Sequence, residues 1–170
     1  MKKTILIVLC ALLLSVTAGC TVDSRETSQS SESQAQLTGS LEDLTAELYE
    51  TAELSPSFRE FVSEGMQTVA ISPEQSEFYF GTEIEFAEAA ASEPLMSTSA
   101  YLLALLRVKD DQDIDATVQA IKEHADPMRW ICVGVDPANV VVDHVGDVII
   151  LIMSDQEKEP LHDAFLALGQ

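Results

Sequence analysis

The chain has 170 residues, with 29 Asp or Glu against nine Lys or Arg, and its formal net charge is -20. A surface this acidic repels phosphate backbones and anionic headgroups, which excludes nucleic acid as a partner and sets a folded domain away from a lipid surface. From about residue 40 onward the chain is long enough for one hydrophobic core and too short for two domains.

The N-terminus speaks to compartment. Met1-Lys2-Lys3 is a short basic start, Thr4 to Leu14 is apolar but too short to span a bilayer, and small residues from Ser15 to Gly19 lead to Cys20. This order predicts a lipoprotein signal peptide over residues 1–19, with Cys20 as the lipidation site and the mature protein held by lipid on the extracytoplasmic face of the cell membrane. Thr17 departs from the pattern, since the third position before the cut is usually Leu or a similar residue. An uncleaved anchor and an ordinary secretory signal are the alternatives. Residues 20–40 are rich in Ser, Gln, Thr and Glu and predict a lipid-anchored disordered tether with a reach on the order of 25 Å. With Cys10 lost with the signal and Cys20 lipidated, only Cys132 remains, so an intramolecular disulfide is excluded. Its neighbours Ile131 and Val133 predict a buried, inert thiol.

Residues 41–170 read as a single domain. Leu41, Leu44, Leu48 and Ala52 fall at helical spacing behind a Ser40 N-cap, and a second helix starting at Ser55-Pro56 lays Phe58, Phe61, Val62 and Met66 on one face until about Gly65. Phe78, Tyr79 and Phe80 form an aromatic cluster, read as core and lid packing, with a ligand-stacking platform as the alternative. Ile84 to Ala91 is compatible with helix or strand and is expected to end at Ser92-Glu93-Pro94. Tyr101 to Val108 predicts an inner strand, and a helix carrying Ile114, Val118, Ile121 and Ala125 follows, ending before Pro127. Trp130 to Val135 is a further apolar run. Val140 to Val145 and Val148 to Met153 flank Gly146-Asp147, a two-residue loop of hairpin chemistry, and the second of these runs is apolar on both faces. A last helix over Gln156 to Leu168 turns Leu161, Phe165 and Leu168 inward. The expected fold is α+β, with helices packed on a small antiparallel or mixed β-sheet.

The segments Glu88–Ser97, Leu106–Lys109, Asp126–Val135 and Val145–Met153 together resemble bacterial lipoproteins of domain-of-unknown-function family 4358, over roughly residues 42 to 155. The resemblance is most specific in DPMRWICVGV and the following VGD turn. It implies a lipid-anchored extracytoplasmic protein of a Gram-positive bacterium and supplies no catalytic residue. Pro127 is expected to end a helix, Trp130 and Cys132 to fill the core, and Gly146-Asp147 to turn the hairpin.

Chemistry-bearing patterns are few. Asp111-x-Asp113-x-Asp115 begins like a calcium loop, but Ala116 stands where Gly is needed and Lys122 where a bidentate Glu is required. Acids in the first turn of a helix are explained by its dipole. His124, His144 and His162 lie far apart in sequence, and no serine sits in a G-x-S-x-G elbow. The sequence therefore predicts no catalytic residue, no metal site and no cofactor. The expected function is a non-enzymatic binding or interaction module with an envelope protein or cell-wall partner; a small extracytoplasmic hydrolase is the alternative. If helices covered one sheet face only, Tyr101, Leu103 and Leu105 would form an exposed apolar patch.

Overall fold

The computed structural model describes residues 36–96 and 98–170, which fall within one compact unit, Glu32–Gln170. The expected signal peptide, Cys20 and the tether up to residue 35 lie outside the described residues.

Five strands, β1 (Met66–Ala70), β2 (Glu88–Pro94), β3 (Leu102–Arg107), β4 (Val140–Val145) and β5 (Val148–Met153), form one sheet in the order β1-β2-β3-β5-β4. Every neighbouring pair is antiparallel. Among the described residues the helices are α1 (Leu41–Thr51), α2 (Pro56–Gly65), α3 (Ser76–Phe80), α4 (Ile114–His124) and α5 (Lys158–Ala167). The expected α+β fold is what the chain adopts, with the sheet antiparallel throughout.

Local chemistry sets the boundaries. Ser40 caps α1 by accepting from the Asp43 backbone N–H at 3.1 Å, Ser55 caps α2 ahead of Pro56 by accepting from Phe58 N–H at 3.3 Å, and Asp113 caps α4 by accepting from Ala116 N–H at 3.0 Å. Gly146 has φ +57° while Asp147 keeps an ordinary negative φ, the signature of a II′ hairpin turn, and Val145 pairs with Val148 across it.

The alternation in β5 divides the core in two. Val148, Ile150 and Ile152 join Leu103, Leu105, Leu41, Leu48, Leu161 and Phe165 on the face covered by α1 and α5. Ile149, Leu151 and Met153 join Leu102, Leu106, Ile121, Tyr79 and Phe80 on the face covered by α3 and α4. Each of these large side chains contributes roughly 1.5–3 kcal/mol by leaving water. Because both faces are covered, Tyr101, Leu103 and Leu105 are buried, and the exposed sheet face considered from sequence does not exist.

Three further expectations are adjusted. Met66 opens β1 instead of extending the α2 face. Ser92-Glu93-Pro94 forms the last three residues of β2, which stops at Pro94 as expected but includes Ser92 and Glu93 in the strand: Ser92 is buried between Thr68 and Leu103, and its hydroxyl accepts from Tyr49 at 2.8 Å. Leu37 is buried against the α1 core, so ordered structure begins before the expected boundary at 41.

Tyr49 also accepts from the Tyr101 hydroxyl at 2.9 Å, which closes a buried hydroxyl chain. Burial pushes the Tyr49 phenol up to about 12, against the opposing hydrogen bonds, and raises Tyr101 further. Tyr79 is raised as well, first by burial and then by the Glu93 carboxylate. These are the chain's three tyrosines. An unfolded chain ionises its phenols near pH 10, so above that pH the unfolded state binds fewer protons and stability falls as pH rises. We expect an alkaline absorbance titration to show Tyr49 and Tyr101 silent near pH 10 and their phenolates to appear together with loss of circular dichroism. Two or more phenolates formed near pH 10 with the dichroism intact would contradict the burial of these two hydroxyls.

Candidate functional site

Five of the six large apolar side chains that are exposed among the described residues gather at one end of the molecule: Phe78 (63% exposed), Leu95 (57%), Met96 (69%), Met128 (62%) and Ile131 (78%). Leu95 and Met96 leave the end of β2. Met128 and Ile131 belong to the connection between α4 and β4. Phe78 stands on α3.

The α4–β4 connection is a pinned loop. Pro127 cannot continue α4, Asp126 Oδ1 accepts from Met128 N–H at 2.8 Å, and Val135 N–H donates to the Pro127 carbonyl at 2.9 Å, closing the base. Val135 is buried as the anchor, while Asp155 Oδ1 takes the Asp136 N–H and the Asn139 side-chain amide, each at 2.9 Å. Between these pins the chain turns outward. The apolar run from Trp130 to Val135 is therefore not a strand. Cys132, expected to be buried in the core, is exposed with φ +65°, a conformation that costs a non-glycine residue on the order of 1 kcal/mol or more. Trp130 does pack partly against the α4 core as expected.

Arg129 is the centre of this end. Its guanidinium carbon lies 4.2 Å from the Phe78 ring centroid, 4.9 Å from Tyr79 and 5.9 Å from Trp130. Phe78 and Tyr79 meet edge to face, with centroids 5.0 Å apart. Tyr79 donates to Glu93 Oε1 at 3.2 Å, and Arg129 Nη1 donates to the Tyr79 carbonyl at 3.5 Å. Burial depresses the Arg129 pKa from its ordinary value, with Glu93 the leading opposing charge. A cavity of about 450 Å³ opens here, walled by Phe78, Glu93, Leu95, Arg129, Trp130 and Ile131. A second, of about 420 Å³, lies beyond Ser99 between Phe58, Phe61, Tyr101, Val133 and Asp155. Both volumes are in the range of small-ligand sites, but only the first brings a cation and aromatic faces together.

The chain enters at the opposite end of the sheet. Arg107 donates to the carbonyls of Leu37 at 2.7 Å and Gly39 at 3.0 Å and pairs with Asp147 at 3.1 Å and Glu88 at 3.6 Å, while Glu88 accepts from Leu41 N–H at 3.0 Å. Arg107 pairs with Val148 beside the hairpin turn, whereas Leu102 at the other end of β3 adjoins the apolar loops. One strand length, roughly 20 Å, separates the two ends.

Of the acids and histidines singled out from the sequence, the structure brings one pair together, Asp115 with His144. Asp113 caps α4 and Asp115 lies in its first turn. His124 Nδ1 is 2.9 Å from the Ala120 carbonyl at the end of α4, His144 Nε2 is 3.6 Å from Asp115 Oδ1, and His162 Nε2 is 2.8 Å from Asp143 Oδ2. Burial alone would raise Asp143, yet hydrogen bonds from His162 and the His144 backbone N–H leave its carboxyl below the ordinary value. No histidine lines either cavity, and among the described residues no hydrogen bond joins a histidine to a serine. Among the described residues no group of three His, Cys, Asp or Glu could hold a metal ion.

Met128, Arg129 and Ile131 do not read as candidate site residues from sequence, because they fall in or beside an apolar run and such a run reads as core. The available signal was Asp126-Pro127 ahead of a run broken by Arg129 and Gly134, a composition that closes a loop more readily than it fills an inner strand. In comparisons with family models, with curated proteins and with solved structures, nothing matches this chain.

Proposed function

We propose that this chain is a lipid-anchored, non-enzymatic binding module of the cell envelope that docks a partner on the apolar end formed by Phe78, Leu95, Met96, Met128 and Ile131. The observation that carries the reading is polarity along the sheet: exposed apolar side chains gather at one end, and the chain arrives at the other, clamped by Arg107. A module tethered by lipid on Cys20 would present that end away from its anchor. Clustered exposed apolar groups rimmed by polar ones mark interaction sites, and aromatic, Met and Arg side chains are the types enriched in them.

The test places a photo-crosslinking residue in the full-length protein in its native bacterium, at Leu95 or Met128 on the apolar end and at Glu47 on the exposed side of α1. One or two partners captured from the first two positions and not from Glu47 are expected. The Cys20→Ala form should lose that capture. Equal capture from Glu47, or none from the apolar end, would sink the proposal.

A further inference from the structure

Among the described residues Arg129 is set apart from the other cations. Arg107 pairs with Glu88 and Asp147, Lys109 with Glu85, and Lys158 with Glu159. Arg59 donates to the Tyr49 and Ala52 carbonyls at the end of α1, and Lys122 is exposed to water. Arg129 is half-buried, has no carboxylate within ion-pair distance among the described residues, and makes a single long contact to a carbonyl. In a chain with 29 acids this is anomalous, because desolvating a guanidinium is costly unless its donors are met. The three rings lie 4.2, 4.9 and 5.9 Å from the guanidinium carbon, and the single side-chain hydrogen bond takes Nη1, so among the described residues Nη2 and Nε have no partner.

Resting on the reading of this end as a docking surface, we propose that the Arg129 cavity binds the C-terminal carboxylate of a partner polypeptide whose last residue is apolar. The planar fork of Arg129 matches a carboxylate. The walls supply the second half of the requirement, since Phe78 lies 4.2 Å from the same guanidinium and Leu95, Trp130 and Ile131 add apolar surface beside the polar Gln67 and Ser99. A group entering here needs an anion and an apolar side chain within a few ångströms of each other, which a terminal apolar residue provides through its own Cα. An internal Asp or Glu carries its carboxylate on one Cα and the nearest apolar side chain on another, about 3.8 Å along the backbone, so it presents the two groups less closely. Glu93 in the wall opposes a second carboxylate and keeps the site neutral when empty. The net charge of -20 further selects a partner that is basic beyond its terminus.

The test uses the full-length chain in detergent micelles and Trp130, the chain's single tryptophan and part of the cavity wall, as a fluorescent reporter. The probe is an N-acetylated hexapeptide with two lysines followed by aliphatic residues and a final leucine, supplied as free acid and as carboxamide. The acid should bind about tenfold more tightly or better, the effect of a charge-assisted hydrogen bond. Arg129→Gln should erase the difference between acid and amide, and Glu93→Gln should widen it by favouring the acid alone. Arg129 braces three rings, so the Glu93→Gln variant, whose amide oxygen can still accept from Tyr79, tests the site if Arg129→Gln fails to fold. Equal binding of acid and amide, no saturable binding of either, or a difference narrowed by Glu93→Gln would overturn the assignment. Crosslinking from Leu95 and Met128 persisting alongside such a result would leave the docking surface standing, while its loss would remove that surface independently.

Discussion

Replacing Gly81 by alanine is expected to lower stability by about 3–5 kcal/mol, a large part of what holds a domain of this size folded. Gly81 ends α3 at φ +77°, and its N–H donates to the Glu77 carbonyl at 2.9 Å. The left-handed backbone alone costs an alanine about 1–2 kcal/mol. The larger part is contact: a Cβ here would stand 1.9 Å from the His124 carbonyl oxygen and 2.9 Å from Ala125 N. Those are backbone atoms at the end of α4, which cannot swing aside as a side chain would, so α3 or the helix end must move. Gly39 provides the control, since its φ of +98° carries the same conformational penalty while nothing lies within 4 Å of its Cβ position. In urea unfolding monitored by circular dichroism, Gly39→Ala should lose only about 1 kcal/mol. Similar losses at both positions would show that the α3–α4 contact is not rigid. The consequence reaches the candidate site, because this contact sets Phe78 and Tyr79 on α3 against Arg129 in the loop that leaves α4.

What the sequence shows readily is structure carried by local signals. The strict alternation of β5 and the two-residue loop at Gly146-Asp147 specify a hairpin at the centre of two cores, and Ser40, Ser55 and Asp113 mark helix starts with side chains that cap them. Where tertiary packing decides, the pattern is silent. The alanines of β2 favour helix by propensity, yet Ala89, Ala90 and Ala91 form a strand because pairing with β1 and β3 and burial on both sheet faces override that propensity. The Trp130–Val135 run misleads for a different reason. Hydrophobicity does not record direction, and a loop closed between Pro127 and Val135 turns Ile131 and Cys132 outward where a strand would have buried them. The place where local reading fails is also where apolar groups face water and a non-glycine residue holds a positive φ, and such violations concentrate at functional sites.

Ile131→Asp is expected to reduce partner capture from a photo-crosslinker at Leu95 at least tenfold while leaving the melting temperature within a degree or two of wild type. Ile131 is 78% exposed on the pinned loop, so the fold gains little from its side chain, and exposed substitutions ordinarily change stability by no more than about 0.5 kcal/mol. A partner seated on this end would bury it beside Leu95 and Arg129, where removing an anchor costs about 2 kcal/mol or more, a factor of about 30 in affinity. Aspartate adds a second effect by placing a charge inside an apolar contact and supplying Arg129 with an internal carboxylate that competes with any external one. Ile131→Ala should therefore fall between wild type and Ile131→Asp. The location control is Leu166→Asp on α5, since Leu166 is the one large exposed apolar side chain of the described residues outside the group, and capture there should persist. Undiminished crosslinking in Ile131→Asp would mean that the partner does not touch this loop, and the apolar end would then have no claim to be the docking surface.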